Sequence, residues 1–156
     1  MCGIAGLFAY DGSAAPVDRD ALRRTNDAMI ARGPDGEGIW VADNSRTGFA
    51  HRRLSIIDLS DSGAQPMEIY GGRLVITYNG EIYNFRELRT ELEQQGRRFQ
   101  SGSDTEVLLH LYDRDGADMV EKLRGMFAFA IHDRARQGVF LARDGFGIKP
   151  LYYAND

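Results

Sequence analysis

The chain has 156 residues, 43% of them hydrophobic, enough for one domain with its own core and no reason to split it. Its formal net charge is -4, with 19 basic residues scattered among 23 acids, so no basic stripe marks it for nucleic acid or an anionic membrane. A single cysteine excludes an internal disulfide, and neither a leader nor an apolar run of about 18 residues is present, which points to the cytoplasm.

In chain order, GIAGLFA at residues 3–9 is an apolar run of strand length bounded by YDGSAAP, and it places Cys2 at the start of a buried strand. Asp18 caps a helix expected to reach Ala31, with Leu22, Asn26, Met29 and Ile30 as its inner stripe and Gly33-Pro34 as its stop. EGIWVAD and TGFAHRRLSIID read as consecutive strands, followed by the polar loop LSDSGAQP and a further strand, GRLVITYN. Asn84 with Glu87, and Ser103 with Glu106, each form a capping pattern, so two helices follow one another, ending at Gly96 and Gly116. Val107, Leu108, Leu111 and Tyr112 are the inward positions of the second. The remainder returns to strands: GMFAFAIHD, a turn at RARQG, VFLARD, a Gly-rich turn and KPLYYA. In GMFAFAIHD the large residues Phe127, Phe129 and Ile131 alternate with small apolar ones, as in a sheet covered on both faces. The pattern predicts an α+β fold of two sheets packed face to face with helices outside.

The chemistry-bearing residues are individually ambiguous. Cys2 is an ordinary strand opener, or a nucleophile that becomes N-terminal when Met1 is removed; its α-amine, with an ordinary pKa of about 8, is then a base attached to the thiol. Asn79-Gly80 is a hairpin turn, or a side-chain amide and a Gly N–H pointing together at a developing oxyanion. Recognition of a free amino acid requires a guanidinium and a carboxylate. Arg53, at the inner end of an apolar strand, suits the first, while Arg52 points the other way by strand alternation. Asp104 is a capping acid or the carboxylate, and Arg32 in ARGPDGEG reads as a surface residue. His51, His110 and His132 are far apart in sequence and suggest no metal site; His110 and His132 read as structural. DGFGIKP has only a superficial likeness to a phosphate loop, because Pro150 forbids the helix that should follow.

Seven segments in this order, MCGIAGLF, RGPDGEG, HRRLSIIDLSDSGAQPM, YNGEIYNFRELR, SGSDTEVLL, LRGMFAFAIHD and RDGFGIKPLYY, resemble the glutaminase domain of glutamine-hydrolysing asparagine synthetases, a class II glutamine amidotransferase family. The resemblance implies the N-terminal-nucleophile fold, a four-layer αββα sandwich of two antiparallel sheets. It implies Cys2 as nucleophile, Asn79 and Gly80 as oxyanion hole, Arg53 for the α-carboxylate of glutamine, and Asp104 with Glu81 for its α-ammonium. Members continue with further strands and a synthetase domain that uses ATP and magnesium. Residues 1–156 are therefore expected to be an incomplete amidotransferase domain that carries no cofactor of its own. The expected partners are glutamine and the parent's synthetase domain, with room for a parent homodimer. Two other readings stay open: a glutaminase that supplies ammonia to a sugar or secondary metabolite, and a non-catalytic glutamine-sensing module.

Overall fold

GMFAFAIHD is a strand buried on both faces, and its alternation sets the layering. Phe127, Phe129 and Ile131 enter one apolar cluster, while Ala130 on the opposite face enters another. The computed structural model describes residues 2–55 and 61–155. Their elements are β1 (Gly3–Phe8), α1 (Arg19–Ala28), β2 (Gly36–Val41), β3 (Thr47–Arg53), β4 (Met67–Ile69), β5 (Leu74–Ile82), α2 (Phe85–Gln94), α3 (Asp104–Asp115), β6 (Gly125–Asp133) and β7 (Gly138–Arg143), with 3-10 turns at Ile30–Arg32, Asp61–Gly63 and Gly116–Lys122.

The strands form two antiparallel sheets, ordered β1-β3-β2 and β4-β5-β6-β7. Helix α1 packs on the outer face of the first, and α3, flanked by α2, packs on the second, giving the four layers expected. The larger cluster lies under α2 and α3, where Ile76 and Phe129 from the sheet meet Leu92, Leu108 and Leu111. Each such side chain contributes about 1.5–3 kcal/mol relative to exposure. The smaller cluster, Phe49, Val75 and Ala130 with Trp40 and Val139, fills the space between the sheets.

Side-chain hydrogen bonds join the sheets. Thr77 Oγ1 donates to Ala50 O at 3.2 Å, and His51 Nε2 donates to Tyr78 O at 3.2 Å. Burial pushes the His51 imidazole down to about 4, with the bond to Tyr78 opposing this and the Arg53 charge reinforcing it.

Several expectations change. β1 is an edge strand rather than a buried one, with Leu7 41% and Phe8 38% exposed, because only its inner end lies beneath other layers. In α1 Leu22 and Asn26 are buried as predicted, but the helix stops at Ala28 and the 3-10 turn swings Ile30 into solvent. Asn79-Gly80 is no hairpin turn: it lies within β5, where Asn79 pairs with Ala128 and Gly80 with Phe127. Asn84 does not cap α2 with its side chain; its amide donates to Lys122 O and accepts from Arg124 N–H, fixing the entry to β6. Ser103 does cap α3 through Thr105 N–H, but Glu106 reaches back past it to Gln100 and Ser101. The short strand β4 has too few residues to show a period, and KPLYYA is not paired as a strand, leaving Tyr152 and Tyr153 exposed. Met1, the segment Ile56–Asp58 assigned to a strand and the loop start Leu59-Ser60 lie outside the described residues. Among the described residues no helix is long and apolar enough to cross a membrane.

Folded His51 takes up a proton near pH 4, whereas in the unfolded chain it does so near 6.5. The unfolded state therefore binds more protons between these values, and this residue's contribution to stability falls as pH drops from 6.5 to about 4. Denaturant titrations across that window are expected to show a shallower decline for His51→Gln than for the unsubstituted chain.

Candidate active site

The site is assembled where the inner ends of the two sheets face each other. In the β1–β3 ladder Gly3 pairs with Arg52, so Cys2, one residue ahead, falls level with Arg53. Gly6 and Phe49 are partners on the face toward the second sheet; a Cβ on Gly6 would lie 3.0 Å from the Phe49 ring. By alternation Cys2 and Arg53 share that face. The Cys2 thiol accepts from Leu54 N–H at 3.3 Å and lies 3.6 Å from Leu54 O, held by the residue following β3. Arg52 turns the other way, donating to Asn26 O and pairing with Asp27 at 2.6 Å and Glu37 at 2.8 Å, so it anchors α1.

β5 supplies the opposing wall. Asn79 and Glu81 share the face of Val75, toward the first sheet, and Asn79 is buried. A Cβ at Gly80 would stand 2.3 Å from Met126 O and 2.7 Å from Phe127 Cα, so only glycine lets β5 and β6 approach this closely. The third wall is the start of α3. Asp104, 4% exposed, accepts at Oδ2 from the Tyr78 hydroxyl at 2.8 Å and from Ile82 N–H at 3.0 Å. Burial raises its pKa, and these hydrogen bonds oppose the rise. Tyr78 is pushed well above its ordinary range by burial and by Asp104, so it remains a donor.

Cys2, Arg53, Asn79, Gly80, Glu81 and Asp104, the six predicted site residues, all line one cavity of about 400 Å³. They come from three elements and the chain start, which brings a thiol, a guanidinium, an amide and two carboxylates together. Such a set suits a small zwitterion carrying a further polar end. Among the described residues no group of three or more His, Cys, Asp or Glu is gathered to hold a metal ion.

Sequence reasoning missed other residues here. Arg32 is exposed as expected, yet its Nε donates to Cys2 O at 3.3 Å. Gln65 accepts from Tyr78 N–H at 2.7 Å and lines the cavity, as do the buried Lys149 and its neighbour Ile148. These last two are placed by Asp144, whose carboxylate accepts from the N–H groups of Phe127, Phe146, Ile148 and Lys149. Burial alone would raise Asp144, but the four donors outweigh it and hold the carboxyl below its usual range. The signal was present in the aspartate before G-F-G, a residue type that accepts from backbone two or more positions on.

The family of glutamine amidotransferase domains matches residues 1–156. The chain belongs to that family. Within it, this amidotransferase domain is 45% identical over 154 residues to asparagine synthetase (glutamine-hydrolysing) 1 of Bacillus subtilis, covering 98% of the chain and 24% of that protein. It is 42% identical over 156 residues to asparagine synthetase B of Escherichia coli, covering 100% of the chain and 27% of that protein. It thus spans about a quarter of the length of these relatives. Its fold matches a solved structure of glutamine phosphoribosylpyrophosphate amidotransferase from B. subtilis with a TM-score of 0.67 and 23% identity, over 90% of this chain and 37% of that one. The two therefore share a fold.

Removing the Asp144 carboxylate leaves buried N–H groups without an acceptor, a loss on the order of 1–3 kcal/mol per group. Asp144→Ala is expected to lower the melting temperature and to speed alkylation of the Cys2 thiol by opening the Ile148-Lys149 wall, both readable on the purified chain.

Proposed function

We propose that this domain hydrolyses glutamine to glutamate and ammonia through a thioester on Cys2. The observation that carries the reading is the convergence of all six predicted residues on one cavity. After removal of Met1, the α-amine of Cys2 takes the thiol proton, and the sulfur attacks the side-chain amide carbon of glutamine. Asn79 Nδ2 and Gly80 N–H receive the negative charge that develops on the amide oxygen. The proton held by the amine passes to the leaving nitrogen, which departs as ammonia. Water then attacks the thioester with the amine again as base, and the proton returns to sulfur as glutamate leaves. Each turnover consumes one water and regenerates the thiol.

Substrate orientation follows from charge. Arg53 offers a planar fork to the α-carboxylate, and Asp104, fixed by Tyr78 and Ile82, offers its remaining oxygen to the α-ammonium, with Glu81 on the same wall. Arg32, bonded to Cys2 O, steadies the terminal residue whose amine is the base. The longer protein from which such a domain comes is an asparagine synthetase on this reading, because those relatives share 42–45% identity with it. Amidation of aspartate, with the ATP and magnesium it needs, then belongs to a synthetase domain, in a cytoplasmic protein that forms a homodimer.

Cys2→Ala is expected to abolish glutamate release while leaving the melting temperature within a few degrees. Asn79→Ala is expected to lower kcat roughly 10²- to 10³-fold with a smaller change in KM. Glutamate release equal to that of the unsubstituted protein in Cys2→Ala would defeat the mechanism.

Because the Asp104 pKa is raised, its carboxylate begins to protonate at a higher pH than an ordinary aspartate. The protonated acid offers no counter-charge to the ammonium, so KM for glutamine should climb as pH falls through that raised value. Asp104→Asn should show a higher KM that lacks this component. A steady-state pH profile of both proteins checks it, and parallel profiles would remove Asp104 from the ammonium subsite.

A further inference from the structure

Just outside the cavity, Glu106 on the first turn of α3 is 3% exposed and engaged almost wholly with the chain that precedes the helix. Its carboxylate accepts from Gln100 N–H at 2.8 and 3.1 Å, from Ser101 N–H at 2.7 Å and from the Ser101 hydroxyl at 2.6 Å. The Ser101 oxygen in turn accepts from Ser103 N–H at 3.3 Å. Ser103 Oγ caps α3 through Thr105 N–H at 3.1 Å and stands 3.5 Å from Asp104 Oδ1. Burial alone would raise the Glu106 carboxyl, but the nearby His110 and the hydrogen bonds from Ser101 and Gln100 outweigh it and hold it at about 2, so it is anionic throughout the neutral range.

We propose that Glu106 is a positioning residue for substrate: by clamping the 100–103 turn it fixes Ser103 and the Asp104 Oδ1 that faces the α-ammonium. This rests on the reading of Asp104 as the ammonium's counter-charge. The two Asp104 oxygens are held by different parts of the molecule. Oδ2 is tied to the sheet through Tyr78 and Ile82, whereas Oδ1 meets the Ser103 hydroxyl, whose own placement depends on Ser101 and through it on Glu106. A helix start would need only the Ser103 cap; a carboxylate turned back onto three donors of the preceding turn is an additional device, and its effect ends at the cavity wall. From its outer side Glu106 is backed by His110 at 3.7 Å, whose other ring nitrogen meets the Tyr70 hydroxyl at 3.3 Å.

The test compares glutamine turnover and binding in full chains. Glu106→Gln keeps the shape but loses the charge and half of the acceptor capacity. It is expected to raise KM for glutamine roughly tenfold or more, as for loss of a charge-assisted hydrogen bond, with kcat changed less than about twofold. The same rise should appear in the Kd for glutamine by calorimetry when the substitution is made in a Cys2→Ala background, where no turnover occurs. Hydrolysis of glutaramic acid, which lacks the α-amine, should be unaffected by Glu106→Gln. Adding Glu106→Gln to Asp104→Asn should then give little further increase. An unchanged Kd, a fall in kcat with KM constant, or additive effects with Asp104→Asn would each overturn the proposal. Should Glu106→Gln not fold, Ser101→Ala, which removes the hydroxyl shared by Glu106 and Ser103, must raise Kd in the same direction or the proposal fails. Glutamine bound by Cys2→Ala but not hydrolysed by the unsubstituted protein would sink the glutaminase reading alone, with the Kd comparison still deciding Glu106.

Discussion

The spacing and register between the two sheets is the constraint on which this domain's chemistry depends. Cys2 and Arg53 belong to one sheet and Asn79, Gly80 and Glu81 to the other, so no single element contains the site. Stacked sheets lie about 10 Å apart, and the apolar filling of Phe49, Val75 and Ala130 sets that distance without fixing how one sheet slides over the other. The slide is fixed by the directional bonds of Thr77 to Ala50 O and of His51 to Tyr78 O, one residue either side of the point where β5 turns from core to cavity. His51 performs this as a neutral side chain, since burial disfavours its cation.

A second consequence follows for the helical layer. α3 begins with three consecutive polar residues, Ser103, Asp104 and Thr105, that are buried rather than solvated. Burying a carboxylate is costly unless donors meet it. Asp104 has Tyr78 and Ile82, Glu106 has the preceding turn, and Asp144 has four backbone N–H groups from the strand and loop around it. These three buried acids hold different pieces of the cavity wall, and they differ in direction: Asp104 is raised, whereas Glu106 and Asp144 are lowered. The acid whose carboxyl is raised is the one assigned to meet a ligand's positive charge.

Glycine has an equally local role. At Gly80 a side chain would collide with the β6 backbone, so the strand pair closes tightly where β5 lines the cavity. The same sequence pair that signals a hairpin turn thus serves inside a strand, because the close approach of β6, and no reversal of the chain, is what requires the glycine.

Much of this was determined by local pattern. The double-sided apolarity of GMFAFAIHD, the caps at Asp18 and Ser103, the glycine stops at Gly96 and Gly116, and the opposite orientations of Arg52 and Arg53 all follow from the periods of strand and helix, which the chain carries within a few residues. The ordered set of motifs also named six residues that the fold brings to one cavity. Tertiary structure alone decided where β1 is exposed, why Asn84 ties β6 rather than capping α2, and which acids are buried with donors. It also decided that Arg32, Lys149 and Glu106 border the site. These depend on contacts between residues tens of positions apart or on side chains that reach back along the chain. Cys2 illustrates the division: its place at the head of a strand is local, while its neighbours Arg53 and Leu54 come from the register of a strand some 50 residues later.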